Sequence, residues 1–450
     1  MTDVVLVNPY FNEERDRSIF RYPPLGLGYL ASTLREVGIS VRLIDCTFSR
    51  YEDAVSVVRK LRPHVLGIYS MVTINHHATA LAKDLRDDVE FLVAGGPLPT
   101  LVPETFLDLF DAVVLHEGEK TFLELVTKYL AGEPWKETRG IAFAGERGEV
   151  RKTEPREVCR NLDAMPFPAR DMYPNRAYMR YWRTYHGYTA TSEITTRGCP
   201  YSCDFCSNPV FGISYRERSA ENVVREMKDI ENLGYDRVFF ADDCFTQNMH
   251  RVEKICNLVV KEKIDLEWMC LSRIDGLNAD LARSMRKAGC VRIFFGIESG
   301  NERMLRIMNK KIELKNVNTA VTAARGAGIQ TGGFFIIGYP GETNSSLMET
   351  LRFSSRLPLD YLSYSFPYPI IGTGLYTKVQ KKIVRPEWRK QRGAAGKHDL
   401  LFATNFTQTK LRFASNKGIV QHLLRKHGSL GNAAAEVLER ITDSLITLVP

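Results

Sequence analysis

The chain has 450 residues, of which 44% are hydrophobic and 25% are charged; these are ordinary values for a globular protein with room for two or three domains. Its 61 basic and 53 acidic residues give a net charge of +8, which suits anionic ligands but does not by itself indicate nucleic-acid binding. No apolar run approaches the ~18 to 20 residues of a membrane span, and the first residues are typical of a strand rather than a signal peptide. We therefore expect a cytoplasmic protein without a membrane span.

Residues 1–150 alternate short apolar segments with helical ones and are assigned to a first domain. The predicted strands are residues 4–7, 41–45, 65–70, 91–94 and 112–115, and the predicted helices are residues 27–37, 52–61, 76–85 and 120–130. This alternation predicts an α/β domain, a Rossmann-like doubly wound parallel sheet. Ligands bind such sheets at the carboxyl ends of the strands.

Residues 151–190 are predicted to link two domains, because four prolines between positions 155 and 174 argue against a long helix. The end of this segment mixes aromatic and cationic side chains. These either contact substrate or form an aromatic contact between domains, where such amphipathic rings are common. The candidate substrate-contacting residues are Tyr181, Trp182, Tyr185, His186 and, further along the chain, Tyr364.

Residues 191–370 resume the alternation of strands and helices. The predicted strands are residues 192–196, 237–241, 266–272, 291–297, 330–337 and 361–366, with helices such as 220–233, 251–262, 279–288 and 317–327 between them. Six such units predict a partial (β/α)6 barrel. Residues 371–450 are predicted to be a mainly helical C-terminal region, with a break at residues 428–431. Its basic run at 378–392 is either a solvated face, a cover over the barrel or a contact for an acidic substrate.

Cys199, Cys203 and Cys206 have the spacing C-x3-C-x2-C, which is the strongest chemical signal in the chain. Three thiolates on one short loop can hold three irons of a cubane cluster and leave the fourth iron open for a small molecule. The alternative is a zinc site, which needs a fourth ligand. The sequence has no second cysteine pair beside the motif, and the nearest histidine is His186. The other six cysteines are too scattered for a disulfide framework and are expected to be reduced thiols.

The segment Gly198-Cys199-Pro200-Tyr201-Ser202-Cys203-Asp204-Phe205-Cys206 resembles the signature of radical S-adenosylmethionine (SAM) enzymes. The resemblance implies a 4Fe-4S cluster whose open iron is chelated by the amino and carboxylate groups of SAM. It further implies reductive cleavage of SAM to methionine and a 5'-deoxyadenosyl radical, which abstracts hydrogen from an unactivated carbon.

The ends of the predicted barrel strands also resemble the SAM site of this family. Residues 240–246 resemble the segment that approaches the amino group of SAM, although a carboxylate there could instead cap the next helix. Residues 272–275 offer a hydroxyl and a guanidinium for the carboxylate or ribose of SAM. Glu298 resembles a SAM-contacting carboxylate, and residues 338–342 resemble the segment that lines the adenine. The candidate SAM-binding residues are Phe205, Asp242, Asp243, Ser272, Arg273, Glu298, Ser299 and Gly338.

The first domain resembles the cobalamin-binding domain that precedes the barrel in a large subgroup of radical SAM enzymes. The resemblance rests on residues 22–30, on Gly95-Gly96-Pro97-Leu98-Pro99-Thr100 directly after a strand, and on Glu117-Gly118-Glu119. The Asp-x-His-x-x-Gly motif that supplies a histidine below cobalt in the methionine synthase type is absent from the sequence. Met71, Val72 and Thr73 are candidates for packing under the corrin. The alternative is that they only pack at the edge of the core. The candidate cobalamin-binding residues are Ser70, Met71, Val72, Thr73, Gly95, Gly96, Pro97, Thr100, Glu117 and Gly118.

These resemblances predict a cobalamin-dependent radical SAM C-methyltransferase that acts through the 5'-deoxyadenosyl radical and methylcobalamin. Rival hypotheses are an oxidative cyclase or ring-rearranging enzyme of the same architecture, an RNA-modifying methylthiotransferase, and a non-catalytic cobalamin sensor. The methylthiotransferase family carries further N-terminal cysteines, whereas only Cys46 and Cys159 precede the motif here. The predicted cofactors are a 4Fe-4S cluster, SAM and cobalamin. The expected partners are a small-molecule, lipid, tetrapyrrole or peptide substrate and an electron donor such as flavodoxin or ferredoxin.

Overall fold

The computed structural model describes residues 2–11, 17–206, 212–384 and 399–448. The chain divides into two compact units, and the division falls between Ser192 and Glu193. Residues 151–190, predicted as a linker, lie in the first unit, and the described part of residues 371–450 lies in the second. In these described parts, none of the helices combines the length and the apolar character that a bilayer crossing requires.

The first unit is built on a seven-stranded sheet with the order β2-β1-β3-β4-β5-β6-β7. Its strands are β1 (Val4–Asn8), β2 (Val41–Asp45), β3 (Val65–Tyr69), β4 (Phe91–Gly95), β5 (Ala112–Val114), β6 (Ile141–Ala144) and β7 (Val150–Lys152). Strands β1 to β5 are parallel, as predicted, whereas β6 and β7 add an antiparallel edge that the sequence analysis missed. Every residue of β7 is exposed, so this strand carries no hydrophobic signal.

Helices cover the parallel strands of the first unit. They are α1 (Leu25–Glu36), α2 (Tyr51–Leu61), α3 (Asn75–Leu85), α4 (Pro97–Leu101), α5 (Gly118–Leu130) and α6 (Asn175–His186). The core packs Leu6, Val65 and Val93 of the sheet against Leu34 of α1 and Phe122 of α5. Each such burial stabilises the fold by about 1.5–3 kcal/mol. The alternation of apolar strands with amphipathic helices therefore places the carboxyl ends of β1 to β5 at one edge of the sheet.

Helix α6 lies within the segment that the prolines were expected to keep free of long helix. Pro174 occupies the position before its first residue, where a proline does not interrupt the helical hydrogen bonds. The prolines therefore exclude helix only upstream of residue 175.

The second unit is built on a six-stranded sheet with the order β15-β14-β13-β12-β11-β8 and a two-stranded sheet of β9 and β10. The strands are β8 (Ala190–Glu193), β9 (Thr196–Arg197), β10 (Arg216–Glu217), β11 (Arg237–Phe240), β12 (Glu267–Ser272), β13 (Cys290–Glu298), β14 (Gln330–Ile336) and β15 (Tyr361–Ser365). Strands β11 to β15 pair in parallel. The predicted α/β fold class, a Rossmann-like sheet followed by a partial barrel, is confirmed.

The helices of the second unit follow its strands in the predicted rhythm. They are α7 (Ala220–Asn232), α8 (Met249–Glu262), α9 (Ala279–Lys287), α10 (Glu302–Ile307), α11 (Leu314–Gly326), α12 (Asn344–Arg356), α13 (Gly374–Val379), α14 (Gln408–Arg425) and α15 (Gly428–Leu448). Seven of these described helices begin with a side chain that accepts a backbone N–H of the first turn, an N-cap that contributes about 1 kcal/mol. Two of the caps are Thr373 of α13 and Thr407 of α14. The other five are Ser219, Asn248, Asn278, Asn301 and Thr343.

The C-terminal region is helical, as predicted, but the predicted break at residues 428–431 is wrong. Helix α15 already begins at Gly428, so the turn between α14 and α15 lies at residues 426 and 427. Gly428 has a φ of +72°, a left-handed conformation that glycine adopts readily. Of the basic run at 378–392, residues 385–392 lie outside the described residues.

Candidate functional site

The three cysteines of the motif lie on the loop that follows β9. All three are partly exposed and none is in a disulfide, whereas Cys46, Cys244, Cys256, Cys270 and Cys290 are buried. Partly exposed thiols with no disulfide partner are the donor set that a 4Fe-4S cluster requires, one thiolate for each of three irons. Within the described ranges, no three His, Cys, Asp or Glu side chains form a group able to hold a single metal ion.

Two other segments of the second unit contact this loop at Tyr201 and Ser202. The guanidinium carbon of Arg273 lies 3.6 Å from the centre of the Tyr201 ring, a cation–π contact. Asn309 donates from its amide Nδ2 to the carbonyl and the hydroxyl of Ser202, at 2.6 and 3.0 Å. Burial raises the pKa of the Cys203 thiol, and the positive charges of Lys310 and Arg273 oppose that rise. These cations favour the thiolate form, which is the form that binds iron.

Asp204, between the second and third cysteines, ties the loop to three other elements. Its backbone N–H donates to the carbonyl of Met308 and its carbonyl accepts from the N–H of Leu375, both at 2.9 Å. Its carboxylate Oδ2 accepts from the Tyr339 hydroxyl at 2.5 Å and from the Lys378 ammonium at 2.8 Å. The sequence analysis did not single out Asp204, Tyr339 or Lys378. Only the position of Asp204 inside the motif marked it, because its partners are more than 100 residues away.

The two carboxylates at the end of β11 differ in their surroundings. Asp242 is fully buried and accepts from the backbone N–H groups of Thr195 and Thr196 at 2.6 and 3.0 Å. Burial raises its pKa, while the charge of Arg251 and the bonds from both threonines oppose that rise. Asp243 is exposed, and it makes no hydrogen bond within the described residues. Of the two, Asp243 is therefore the carboxylate that is available to a ligand.

The polar groups at the end of β12 are engaged within the protein. The Ser272 hydroxyl lies 2.5 Å from that of Thr246 and donates to the carbonyl of Arg273 at 2.6 Å. The Arg273 guanidinium makes two hydrogen bonds to Asp275, at 3.0 and 2.8 Å, and two to the carbonyls of residues 310 and 311, both at 3.0 Å. Contact of Ser272 and Arg273 with SAM stays a prediction. What the geometry shows is that Arg273 supports the cysteine loop.

Glu298, at the end of β13, forms a buried ion pair with Lys310, with the Nζ–Oε1 distance at 2.9 Å. Although burial opposes it, the negative charges of Glu298 and Cys203 raise the pKa of Lys310. Glu298 has a φ of +71°, a left-handed conformation that costs a residue with a side chain about 1–2 kcal/mol. The neighbouring Ser299 is buried, with its hydroxyl 3.0 Å from that of Thr350. The backbone of Glu298 is thus strained, and its carboxylate is held by the ion pair with Lys310.

The end of β14 is organised by Glu342. Its Oε2 accepts the Gly338 N–H at 2.5 Å, and its Oε1 is buried without a hydrogen-bond partner among the described residues. Burial raises the pKa of this carboxyl to about 8, against the opposing effect of the bonds from Gly338 and Tyr339. Gly338 has a φ of +84° and lies where a Cβ would come within 2.4 Å of Leu411. Phe205 of the cysteine loop lies edge-on to Tyr339, with ring centroids 6.4 Å apart.

In the first unit, the loops after β3 and β4 meet at Ser70. The buried Ser70 donates its N–H to the Gly95 carbonyl at 2.8 Å. A Cβ on Gly96 would lie 2.5 Å from the Ser70 carbonyl, and Gly96 has a φ of +111°, so the protein backbone itself requires glycine there. A Cβ on Gly95 would meet nothing closer than Val114, at 4.0 Å. A side chain on Gly95 would therefore meet no close protein atom, so the backbone does not itself require glycine there, in contrast to Gly96.

The other predicted cobalamin residues line the same edge. Met71 is exposed, and the two residues after it are partly exposed in the turn Val72–Ile74. Pro97 begins α4, and the Thr100 hydroxyl of α4 accepts the His116 N–H at 3.0 Å, which joins this helix to the loop after β5. Glu117 and Gly118 lie at the start of α5. The structure thus places these residues at the ends of three adjacent parallel strands, and their contact with cobalamin stays a prediction.

The predicted substrate residues on α6 contact the segment before α1 within the first unit. Tyr181 and Trp182 are buried and donate to the carbonyls of Ser18 and Arg21, at 3.0 and 2.8 Å. Tyr185 is 42% exposed and His186 is partly exposed. In the second unit, Tyr364 is half-buried, and its hydroxyl lies 2.5 Å from that of Ser354 on α12. Substrate contact stays a prediction for all five residues.

Comparison with known proteins agrees with this geometry. The family model of the radical SAM superfamily matches residues 194–354, and that of the B12 binding domain matches residues 17–126. The chain is 34% identical over 383 residues to an uncharacterized methyltransferase of Pyrococcus horikoshii, covering 82% of this chain and 81% of the relative. It is 28% identical over 451 residues to the cytidylyl-2-hydroxyethylphosphonate methyltransferase of Streptomyces wedmorensis, covering 85% of this chain and 83% of that enzyme.

A solved structure of OxsB, described as a cobalamin-dependent S-adenosylmethionine radical enzyme, has the same fold. It matches with a TM-score of 0.78 at 20% sequence identity, over 100% of this chain and 72% of that one. The chain belongs to the radical SAM superfamily. Within it, the chain is a cobalamin-dependent radical SAM enzyme whose cofactors are a 4Fe-4S cluster, SAM and cobalamin.

Proposed function

We propose that this chain is a methyltransferase that methylates an unactivated carbon of a small-molecule, lipid, tetrapyrrole or peptide substrate. One observation carries the proposal: a single chain joins a loop of three partly exposed cysteines, none of them in a disulfide, to a B12-binding domain in which a Cβ on Gly95 would meet nothing closer than 4.0 Å. When bound, cobalamin supplies a transferable methyl group, and the cluster with SAM supplies a radical that removes hydrogen from carbon. The two activities together replace a carbon–hydrogen bond with a carbon–methyl bond.

The residues of the second unit have distinct roles in this proposal. Cys199, Cys203 and Cys206 hold three irons, so the fourth stays open for the amino and carboxylate groups of SAM. Asp243, exposed and without a hydrogen-bond partner in the described residues, accepts from the SAM amino group. The Glu298 carboxylate is held in place by Lys310 and is a second acceptor for the polar groups of SAM.

The experiment measures products that do not depend on knowing the substrate. The protein is purified without oxygen, reconstituted with iron, sulfide and hydroxocobalamin, and incubated with SAM and a reductant. We expect 5'-deoxyadenosine, and also S-adenosylhomocysteine whose formation requires cobalamin, because donating the methyl group of SAM leaves that product. The matched controls omit cobalamin or carry Cys203→Ala.

The two products separate the hypotheses. Formation of 5'-deoxyadenosine without cobalamin-dependent S-adenosylhomocysteine would remove methyl transfer and favour a cyclase or ring-rearranging enzyme. Formation of neither product by protein that retains iron would overturn the radical assignment of the cysteine loop.

We further propose that the enzyme works in the cytoplasm, whose reducing conditions suit a cluster, with a flavodoxin or ferredoxin as electron donor.

A further inference from the structure

Two segments of the second unit flank the cysteine loop. Residues 303–311 contact it through the Met308 carbonyl, which accepts the Asp204 N–H, and through the Asn309 side chain. Residues 374–384 contact it through the Leu375 N–H and the Lys378 ammonium, both of which donate to Asp204. Whatever approaches the loop from this side therefore meets both segments.

Both flanking segments are basic and contain no acidic residue. Residues 303–311 include four Lys or Arg, and residues 374–384 include three. Lys310 is buried and paired with Glu298, so it does not face solvent. The remaining six are exposed, and we call them the basic surface: Arg303, Arg306, Lys311, Lys378, Lys381 and Lys382.

Most of the charge on the basic surface is uncompensated. Lys378 is paired with Asp204, and Arg303 donates to the carbonyl of Gly341 at 3.1 Å. Across the described residues, the side chains of the other four make no hydrogen bond or ion pair, and these four are Arg306, Lys311, Lys381 and Lys382. Elsewhere in this unit many surface cations are paired, for example Lys254 with Glu221 and Arg325 with Asp360. Four unpaired cations on two segments that contact one loop attract an acidic partner.

We propose that the basic surface docks an acidic one-electron carrier protein, which passes its electron to the cluster on the cysteine loop. The inference rests on the proposed function in one respect, that the loop holds a cluster that must be reduced. The step balances with one electron: the carrier is oxidised by one electron and the cluster is reduced by one. Pro200 and Ser202 of the loop are exposed, so a protein seated on the flanking segments reaches the loop itself. An acidic substrate or RNA would also be attracted, but the charge lies on the two segments that contact the cysteine loop, which is where an electron carrier must approach the cluster.

The test reverses charge on each flanking segment separately. The variants are Arg306→Glu/Lys311→Glu and Lys381→Glu/Lys382→Glu. The matched control is Lys261→Glu/Lys287→Glu, which reverses two exposed lysines near the ends of α8 and α9. These helices end just before β12 and β13 begin, so the control lies at the amino ends of the strands, away from the loop. Cluster reduction is followed by stopped-flow absorbance with reduced flavodoxin and, separately, with photoreduced 5-deazariboflavin, a small neutral reductant.

We expect each docking variant to be reduced by flavodoxin at least about tenfold more slowly at low salt, since steering by opposite charges accelerates association by 10- to 1,000-fold. The difference should shrink with added salt, because the screening length falls to about 8 Å at 0.15 M. Reduction by deazariboflavin, iron content and the control variant should be unchanged. A glutamine version of each pair repeats the test at half the charge change if a glutamate variant does not fold.

Three results would overturn the docking proposal. The first is a wild-type rate and salt dependence with flavodoxin in both variants, and the second is equal slowing in the control. The third is equal slowing with both reductants, which would assign these residues to cluster stability. An RNA or acidic peptide that loses binding in the variants, while the flavodoxin rate stays unchanged, would assign the surface to that partner. All of these leave cobalamin-dependent S-adenosylhomocysteine formation as a separate test of the proposed function.

Discussion

Replacing Glu342 by glutamine is expected to remove a large part of the loss of stability on raising the pH from 6 to 8. The folded carboxyl is fully buried, and burial raises its pKa to about 8 from an ordinary value of 4.5. Between these two values the folded chain holds a proton that the unfolded chain has lost. Stability therefore falls as the pH rises through this window, and the contribution is complete only below the unfolded pKa.

The size of the effect follows from the two pKa values. One pKa unit corresponds to about 1.4 kcal/mol, so the wild type should lose about 2 kcal/mol between pH 6 and pH 8 through this one group. Glutamine does not titrate, and its amide oxygen can still accept the Gly338 N–H that Oε2 accepts now. The free energy of unfolding of Glu342→Gln should therefore change by about 2 kcal/mol less than that of the wild type over the same range.

The assay is urea unfolding of the cofactor-free protein at pH 6, 7 and 8, read as the midpoint and slope of the transition. Glu262→Gln is the matched control, because Glu262 is an exposed glutamate at the end of α8. The control should follow the wild type at every pH. Parallel pH profiles for Glu342→Gln and the wild type would refute the reasoning, since they would mean that the buried carboxyl does not hold its proton.

Three further predictions concern the cofactor sites. Cys199→Ala should abolish iron retention and 5'-deoxyadenosine formation, whereas Cys159→Ala, which removes a thiol outside the motif, should retain both; equal iron content in the two variants would contradict the assignment. Asp243→Asn should weaken SAM binding about tenfold or more in equilibrium dialysis, since it removes a charge-assisted hydrogen bond of about 1.5–3 kcal/mol; wild-type binding would exclude Asp243 from the site. Gly95→Val should lower cobalamin retention at an unchanged unfolding midpoint, while Gly96→Val should lower the midpoint itself, because its φ of +111° is strained for valine; full cobalamin retention by Gly95→Val would show that the corrin lies elsewhere.

The sequence predicted the sheets well because their signal is local. Runs such as residues 41–45 and 330–337 contain clustered aliphatic or aromatic residues and lie between helical segments, and the observed strands match them within a residue. Helix α6 and strand β7 were missed for different reasons. Helix α6 was missed because the prolines before it were taken to exclude helix from the whole segment. Strand β7 was missed because all its residues are exposed, so it has no hydrophobic pattern.

The sequence could propose residues for the candidate site but could not predict the contacts between them. The motif spacing identified the three thiols, and the strand ends placed carboxylates near them. Asp242 accepts hydrogen bonds from Thr195 and Thr196, whereas Asp243 is exposed. No local pattern in the sequence distinguishes the two carboxylates. Likewise the Glu298–Lys310 pair depends on a turn that returns Lys310 to the strand end. Such contacts are properties of the folded backbone, so residue type and spacing could not reveal them.

The bond between Lys378 and Asp204 joins residues 174 positions apart, and this has a consequence for how the enzyme matures. During synthesis the cysteines leave the ribosome long before Lys378 is made. Contacts between residues this far apart in sequence also form late in folding, because closing a long loop costs conformational entropy. The loop is therefore held by its full set of bonds only after the barrel has been completed. We expect iron and sulfide to be inserted into a finished chain, so a shortened chain that ends before residue 374 should take up cluster poorly even though it contains every cysteine.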